Sequence, residues 1–360
     1  MNKTAYLIVT DLHLSGVNMR GRYNYPAEID YVIKHIIKTG MRYIEEGYSN
    51  VNLIFLGDII DKSYKNLTKG IYANNIFVAL KNIFSNIYSV GGNHEFSYYT
   101  DNPFWTLFTE IKSEKIQAIK TKSWQPVGYL DLVEVVDTLE DGNVIFHFNH
   151  NGTGVNSPID GKVNIGLFHQ DIICKDIIES MKADYAMEVF ESKPKYFDQS
   201  NILYGYNYCF FGHMHKVYGH WTYVCDKTKF TTELHYLGSL GRTNHTEVSN
   251  DFLERDIPAV IIENGNFSRI ENNKFNLMCR EECVKEEVVL ENKEVLLKKN
   301  EIKYALESVP ETDEAIDNIK SVLTANAVLY TIFDDFLNSR ESEFEHKLMN
   351  RVERVINGNK

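Results

Sequence analysis

Cysteine and proline are scarce in this 360-residue chain, which holds five of the first and seven of the second. The cysteines are Cys174, Cys209, Cys225, Cys279 and Cys283, an odd number with no Cys-x-x-Cys pair. That argues against a disulfide framework, and Cys279 and Cys283 read as free thiols in a reducing compartment rather than as a pair or a metal site. No apolar run approaches the roughly 18 residues that a membrane helix needs. The run at residues 5–9 is too short for a signal-peptide core and leads straight to Asp11. The expectation is a cytoplasmic protein with no membrane partner. Basic residues are also in deficit, 38 against 50 acidic ones, for a net charge of −12. Such a balance argues against holding nucleic acid by bulk charge and leaves only a local basic groove. What is present is core material. Hydrophobic residues make up 43% and aromatics 12%, which excludes a disordered chain.

Three short apolar runs, at residues 5–10, 51–56 and 87–90, read as buried strands, each followed by polar or glycine-rich punctuation. Between the first two, Ile29, Val32, Ile33, Ile36, Ile37 and Ile44 recur at helix spacing, and Ile76, Leu80, Ile83, Phe84 and Ile87 do so between the next two. Strand–helix–strand–helix–strand predicts a parallel sheet with right-handed crossovers. Short β-like runs follow at 130–136, 144–148, 164–168, 208–211, 221–225, 233–237, 259–262 and 267–270. Together they predict a second sheet packed on the first. Helical patterns interrupt them at 104–111 and 172–181. From residue 271 onward the chain carries 19 acidic and 13 basic residues with apolar positions at helix spacing. That predicts a charged helical tail, either a solvated appendage or a docking arm.

The chemistry-bearing residues stand where strands end. The first run ends in Asp11-Leu12-His13, the second in Gly57-Asp58-Ile59-Ile60-Asp61, and the third in Gly91-Gly92-Asn93-His94-Glu95. Later runs end at His169 and at Gly212-His213-Met214-His215. Sites in open α/β sheets form outside the carboxyl ends of strands, so five such ends converge on one spot. Imidazole, carboxylate and carboxamide without thiolate suit Mn²⁺, Fe or Zn²⁺.

In these five elements, over about residues 5–241, the chain resembles the calcineurin-like metallophosphoesterase superfamily. The resemblance implies an α/β fold, a four-layer αββα sandwich with a small C-terminal extension, and two divalent metal ions. Mn²⁺ is the first choice, with Fe, Zn²⁺ or Mg²⁺ as alternatives. Asp11, His13, Asp58 and His215 would hold one ion. Asp58, Asn93, His169 and His213 would hold the other, Asp58 bridging. His94 would not be a ligand and would stand beside the scissile phosphate. A shared carboxylate blunts the repulsion of two nearby cations, which acidify a water trapped between them. Asp61 and Glu95 are candidate neighbours of the ligands. Family members usually carry Asp where this chain has Glu95.

The run His235-Tyr236-Leu237-Gly238-Ser239-Leu240-Gly241-Arg242 further resembles the nuclease subunit of double-strand-break repair complexes, the SbcD-like class, in which a Gly-Ser loop borders the site. That resemblance implies a DNA exonuclease and endonuclease with an SbcC-like coiled-coil ATPase partner and a homodimer. The alternatives are a small-molecule phosphatase or cyclic-nucleotide phosphodiesterase, and a silent metal-binding scaffold. Ser239 and Arg242 are the expected substrate contacts, with Arg255 as a further phosphate candidate. Arg20, Arg22 and Lys34, interleaved with Tyr23 and Tyr25, are candidates for a groove. The expected domains are catalytic 1–250, a small capping β segment 251–275 and the tail 276–360. His147 and His150 fit no motif. They read as solvent-facing strand residues or as extra substrate-side groups.

Overall fold

The computed structural model describes residues 2–15, 22, 24–61, 67–96, 109–119, 132–170, 172–173, 195–196, 203–225, 228–243, 247–248 and 253–284. All belong to one compact unit, Met1–Lys285. The docking arm and most of the expected tail lie outside the described residues.

The chain starts a sheet with β1 (Lys3–Val9) and crosses through α1 (Tyr25–Glu45) to the parallel β2 (Asn50–Phe55). It crosses again through α2 (Leu67–Lys81) to β3 (Ile87–Ser89), parallel to β2. After α3 (Asn93–Phe96) come β4 (Thr109–Ile111), α4 (Glu114–Ile119) and β5 (Val133–Val135), which close that edge. The second sheet takes β6 (Thr138–Asp141), β7 (Val144–Asn149) and β8 (Val163–His169). A short pair, β9 (Ile172–Ile173) and β10 (Lys195–Tyr196), stands apart. The second sheet is completed by β11 (Tyr208–Gly212), β12 (Tyr218–Val224) and β13 (Thr231–Leu237), in the order β12-β13-β11-β8-β7-β6. The chain then returns to the first sheet with β14 (Glu254–Glu263) and β15 (Asn266–Asn276) before α5 (Arg280–Cys283). The first sheet runs β15-β14-β1-β2-β3-β5-β4.

Alternation along β1 shows how the layers form. Ala5, Leu7 and Val9 pack with Ile29, Val32, Ile33 and Ile36 of α1. Tyr6 and Ile8 face the other way, onto Phe146, Phe148, Ile165, Leu167 and Phe210 of the second sheet. Both faces of the first sheet are thus covered, as its nearly continuous apolar strands require. The fold is the expected mixed α/β architecture with two stacked sheets. The helical cover expected on the far side of the second sheet falls outside the described residues.

Three expectations are corrected. Residues 251–275 are no capping segment. β14 pairs antiparallel with β1 from Lys3↔Glu263 to Leu7↔Ala259, inside the first sheet. β5 and β15 also belong to that sheet rather than to the second. Within the patterns expected as helices, Thr109–Ile111 and Ile172–Ile173 are strands, because β5 and β10 offer them ladder partners. The rest of both patterns lies outside the described residues. Among the described cysteines, Cys209, Cys279 and Cys283 carry free thiols, as expected. No described helix is long and apolar enough to cross a membrane.

Candidate metal centre

Four residues at the strand ends hold a backbone conformation that side chains normally avoid. Asp11 (φ 48°), His13 (45°), Asp58 (47°) and His213 (72°) all lie in the left-handed region. Each costs on the order of 1 kcal/mol. The loops after β1 and β2 are held together against that strain. The Asp11 N–H donates to Gly57 O at 3.2 Å, and the His13 N–H donates to Asp58 O at 3.0 Å. At Gly92, a Cβ would collide with the Asp58 carboxylate, so only glycine lets the third strand end approach.

Three groups of donor atoms result; one joins His13, Asp61 and His94, and the other two share a carboxylate. Asp11, His13, Asp58 and His215 each bring one atom within 4.8 Å of the others, and Asp58, His169 and His213 do the same. Asp58 belongs to both and turns a different oxygen to each. Its Oδ2 lies 3.9 Å from His13 Nε2 and its Oδ1 lies 3.2 Å from His169 Nε2. Asn93 joins the second group, with Oδ1 at 2.9 Å from His169 Nε2. Ring nitrogens face one another, His13 Nε2 and His215 Nε2 at 3.0 Å, His213 Nδ1 and His169 Nε2 at 3.2 Å. Donors each about 2.0–2.2 Å from a shared ion stand roughly 3–4 Å apart, so the spacing fits a divalent cation in each of the two groups that share Asp58. Asp11 Oδ1 is buried and makes no hydrogen bond, as a carboxylate oxygen reserved for a cation would be.

An outer ring orients these donors. His169 Nδ1 lies 2.6 Å from Leu56 O, which turns Nε2 toward the group. His215 Nδ1 lies 3.2 Å from Glu247 Oε1, with the same effect. Glu247 was not anticipated, since it stands in no motif. Glu95 is fully buried and accepts the N–H groups of Asp58 (2.8 Å), Gly92 (2.9 Å) and Ile60 (3.2 Å). It clamps the Asp58 loop from below. His94 stands on the open side. Its N–H donates to Asp58 Oδ1 at 2.9 Å, and its Nδ1 lies 3.9 Å from Asp61 Oδ1.

The electrostatics match crowded opposite charges. Burial raises the Asp11 carboxyl, but His215 and His169 outweigh it and hold its pKa near 2. Asp58 is lowered in the same way, chiefly by His169. Burial pushes His13 down to about 4. For His169 burial acts in the same direction, yet Asp58 lifts it to about 9. Burial and the Asp58 charge push Glu95 up to about 8, against His169 and the backbone donors.

The expected substrate contacts are placed elsewhere. Arg242 is 1% exposed; its Nε donates to Glu28 Oε1 at 2.7 Å and its Nη2 to Met278 O at 2.7 Å. Ser239 is buried, and its hydroxyl donates to Gly241 O at 2.9 Å and to Asp11 O at 3.2 Å. Both support the loops behind the donors instead of facing a substrate. Arg255 is buried beside Ser239 O and over the Tyr218 ring. Arg22 is buried against Glu28, and Tyr25 is buried with its hydroxyl on Leu12 O, so neither lines a groove. Lys34 is exposed on α1, and Arg20 and Tyr23 lie outside the described residues. His147 and His150 are not solvent-facing, being 1% and 0% exposed.

The family model for calcineurin-like phosphoesterases matches residues 5–217, more than half of the chain. The chain belongs to this family. Its members are metal-dependent hydrolases that bind two divalent ions, and the strand-end residues above form a cluster suited to them. No curated protein matches the sequence. Among solved structures, this phosphoesterase is similar to a 5'-nucleotidase precursor from Thermus thermophilus, at 11% identity and a TM-score of 0.39, covering 85% of this chain and 60% of that one. It is similar to a sulfate thiohydrolase from the same species at 9% identity and a TM-score of 0.36, covering 83% and 61%. A dimetal phosphatase from Danio rerio gives 11% identity and a TM-score of 0.38, covering 76% of this chain and 99% of that one. The chain thus spans about three fifths of the first two proteins. Likenesses of this size carry nothing about substrate.

Proposed function

We propose that this phosphoesterase hydrolyses small phosphate esters with two divalent ions. Asp11, His13, Asp58 and His215 would hold one ion, and Asp58, Asn93, His169 and His213 the other. The observation that carries the reading is Asp58, whose two carboxylate oxygens face the two donor groups separately. Bound divalent ions would offset the charge of the phosphate and acidify a water for in-line attack. The chain's own residues do the rest. Glu95 and the outer-ring carboxylate Glu247 hold the donors in place. His94, fixed by its N–H on Asp58, presents an imidazole on the open side that can protonate the leaving oxygen. Mn²⁺ suits the donor set, as do Fe and Zn²⁺.

A small phosphoester is favoured over DNA because Arg22, Arg242 and Arg255 are buried and engaged in the fold. The net charge of −12 points the same way. One observation favours a second reading, the SbcD-like nuclease with its ATPase partner and homodimer. The Gly238-Ser239 loop touches the Asp11 backbone, beside the site, where that resemblance puts it. A competition assay with Mn²⁺ separates the two. Turnover of p-nitrophenyl phosphate or its bis-ester should proceed uninhibited by linear duplex DNA. Efficient DNA cleavage with no small-ester turnover would establish the second reading instead. His94→Ala should lower kcat by about 10²–10⁴-fold with metal content unchanged.

A further inference from the structure

The run Phe146-His147-Phe148-Asn149-His150-Asn151-Gly152 belongs to none of the metal motifs, yet its end lies between two of them. β7 finishes at Asn149, and the chain turns at His150 and Asn151. From there bonds reach to both sheets. On the first sheet's side, the Gly91 N–H donates to His150 Nδ1 at 2.9 Å, and the Asn151 N–H donates to Gly91 O at 2.9 Å. On the second sheet's side, Asn151 Nδ2 donates to His169 O at 3.1 Å, and Gln170 Nε2 donates to His150 O at 3.2 Å. Gly91 stands two residues before Asn93, and His169 is its partner in the second donor group.

We infer that His150 and Asn151 are positioning residues, a brace that sets the separation of Asn93 and His169 and so shapes the second ion's site. The inference rests on the two-ion reading above. His150 is fully buried, so its orientation is fixed from behind. Its Nε2 lies 3.3 Å from Asp137 Oδ1. Asp137 is itself held by the Ser113 hydroxyl at 2.6 Å and the Glu114 N–H at 2.8 Å. Because Nδ1 accepts the Gly91 N–H, the neutral ring carries its proton on Nε2. The first donor group receives no bond from this brace. Asp11 and His13 hang on Gly57 O and Asp58 O, and His215 on Glu247. The effect on the two ions should therefore be unequal.

The test is Mn²⁺ binding to the metal-stripped full chain, by calorimetry together with electron paramagnetic resonance. Wild type should bind two ions and show a spin-coupled pair at saturation. His150→Ala and Asn151→Ala should each weaken one site about 10–100-fold, the range for outer-ring partners, and leave the other within about twofold. At intermediate Mn²⁺ the coupled signal should give way to a single-ion signal. His150→Asn, whose Oδ1 replaces Nδ1 as the acceptor for Gly91, should restore most of the loss. Asn151 is only partly buried, so its variant carries the test if His150→Ala does not fold. Equal weakening of both sites, no weakening, or a His150→Asn that behaves like His150→Ala would overturn the brace. A wild-type chain that binds fewer than two ions would overturn the two-ion reading itself.

Discussion

A carboxylate that accepts three backbone N–H groups in the interior fixes a loop more firmly than any side chain at its surface could. Glu95 does this for the residues around Asp58. Both the Asp58 and Gly92 N–H groups share Oε2, while Oε1 takes Ile60 alone. An Asp in its place would be one methylene shorter. The longer side chain of Glu95 spans three donors on two strand ends. In Glu95→Gln one side-chain oxygen becomes an NH₂ group, which must face a backbone donor. If the remaining oxygen keeps the Asp58 and Gly92 donors, the amide opposes the Ile60 N–H and leaves it buried and unpaired. That should cost about 1–3 kcal/mol in denaturant unfolding above pH 8, where the Glu95 carboxyl is ionised. Metal affinity should fall too, because the loop that carries Asp58 loses its anchor at Ile60. An unchanged midpoint in the Gln variant would show that the clamp is not what holds the loop.

Between elements, the same logic applies to α1 and the loop that follows β13. Glu28, in the first turn of α1, receives Arg22 and Arg242, and Arg22 also donates to Arg242 O. All three side chains are buried. Removing the shared anion leaves two guanidinium groups without their partner. Glu28→Ala should thus cost about 3–5 kcal/mol. Arg242→Ala should lower stability yet leave KM for a small phosphoester within about twofold, whereas a tenfold rise in KM would return Arg242 to the substrate. Here the limit of the sequence becomes visible. The strand ends bearing Asp11, Asp58, Asn93, His169 and His213 could be read because each follows an apolar run directly. Arg242, His150 and Glu247 could not be placed, since their partners lie 214, 59 and 32 positions away in the chain. Periodicity reports which face a residue shares with its neighbours and says nothing about what lies opposite. Ile44 shows the same limit inside a helix. It continues the apolar pattern of α1 but is 46% exposed, near the end of the helix.

The molecule as a whole rests on two sheets held face to face, and one seam between them is polar. Near β12, β13 and β14, His235 is 4% exposed and stacked on Phe210 at 4.6 Å, with neither ring nitrogen hydrogen-bonded. A cavity of about 220 Å³ lies beside it, lined in part by His220, Glu233 and Asn272. The titratable groups around His235 are His220 on β12, Glu233 on its own strand and Asp256 on β14. Burial and the His220 charge lower its pKa from 6.5 to about 3, and Asp256 only partly offsets them. The unfolded chain therefore takes up a proton below about pH 6.5 that the folded chain refuses until about pH 3. The contribution of His235 to stability is complete above pH 6.5 and is lost as pH falls through that window, at up to about 1.4 kcal/mol per pH unit. Phenylalanine keeps the stack on Phe210 and has no nitrogen to protonate. His235→Phe should thus unfold at a higher denaturant concentration at pH 7, and its stability should decline less steeply than wild type between pH 6.5 and 4. The two curves running parallel across that range would mean that the seam admits the proton without opening, and that the sheets part on acidification for some other reason.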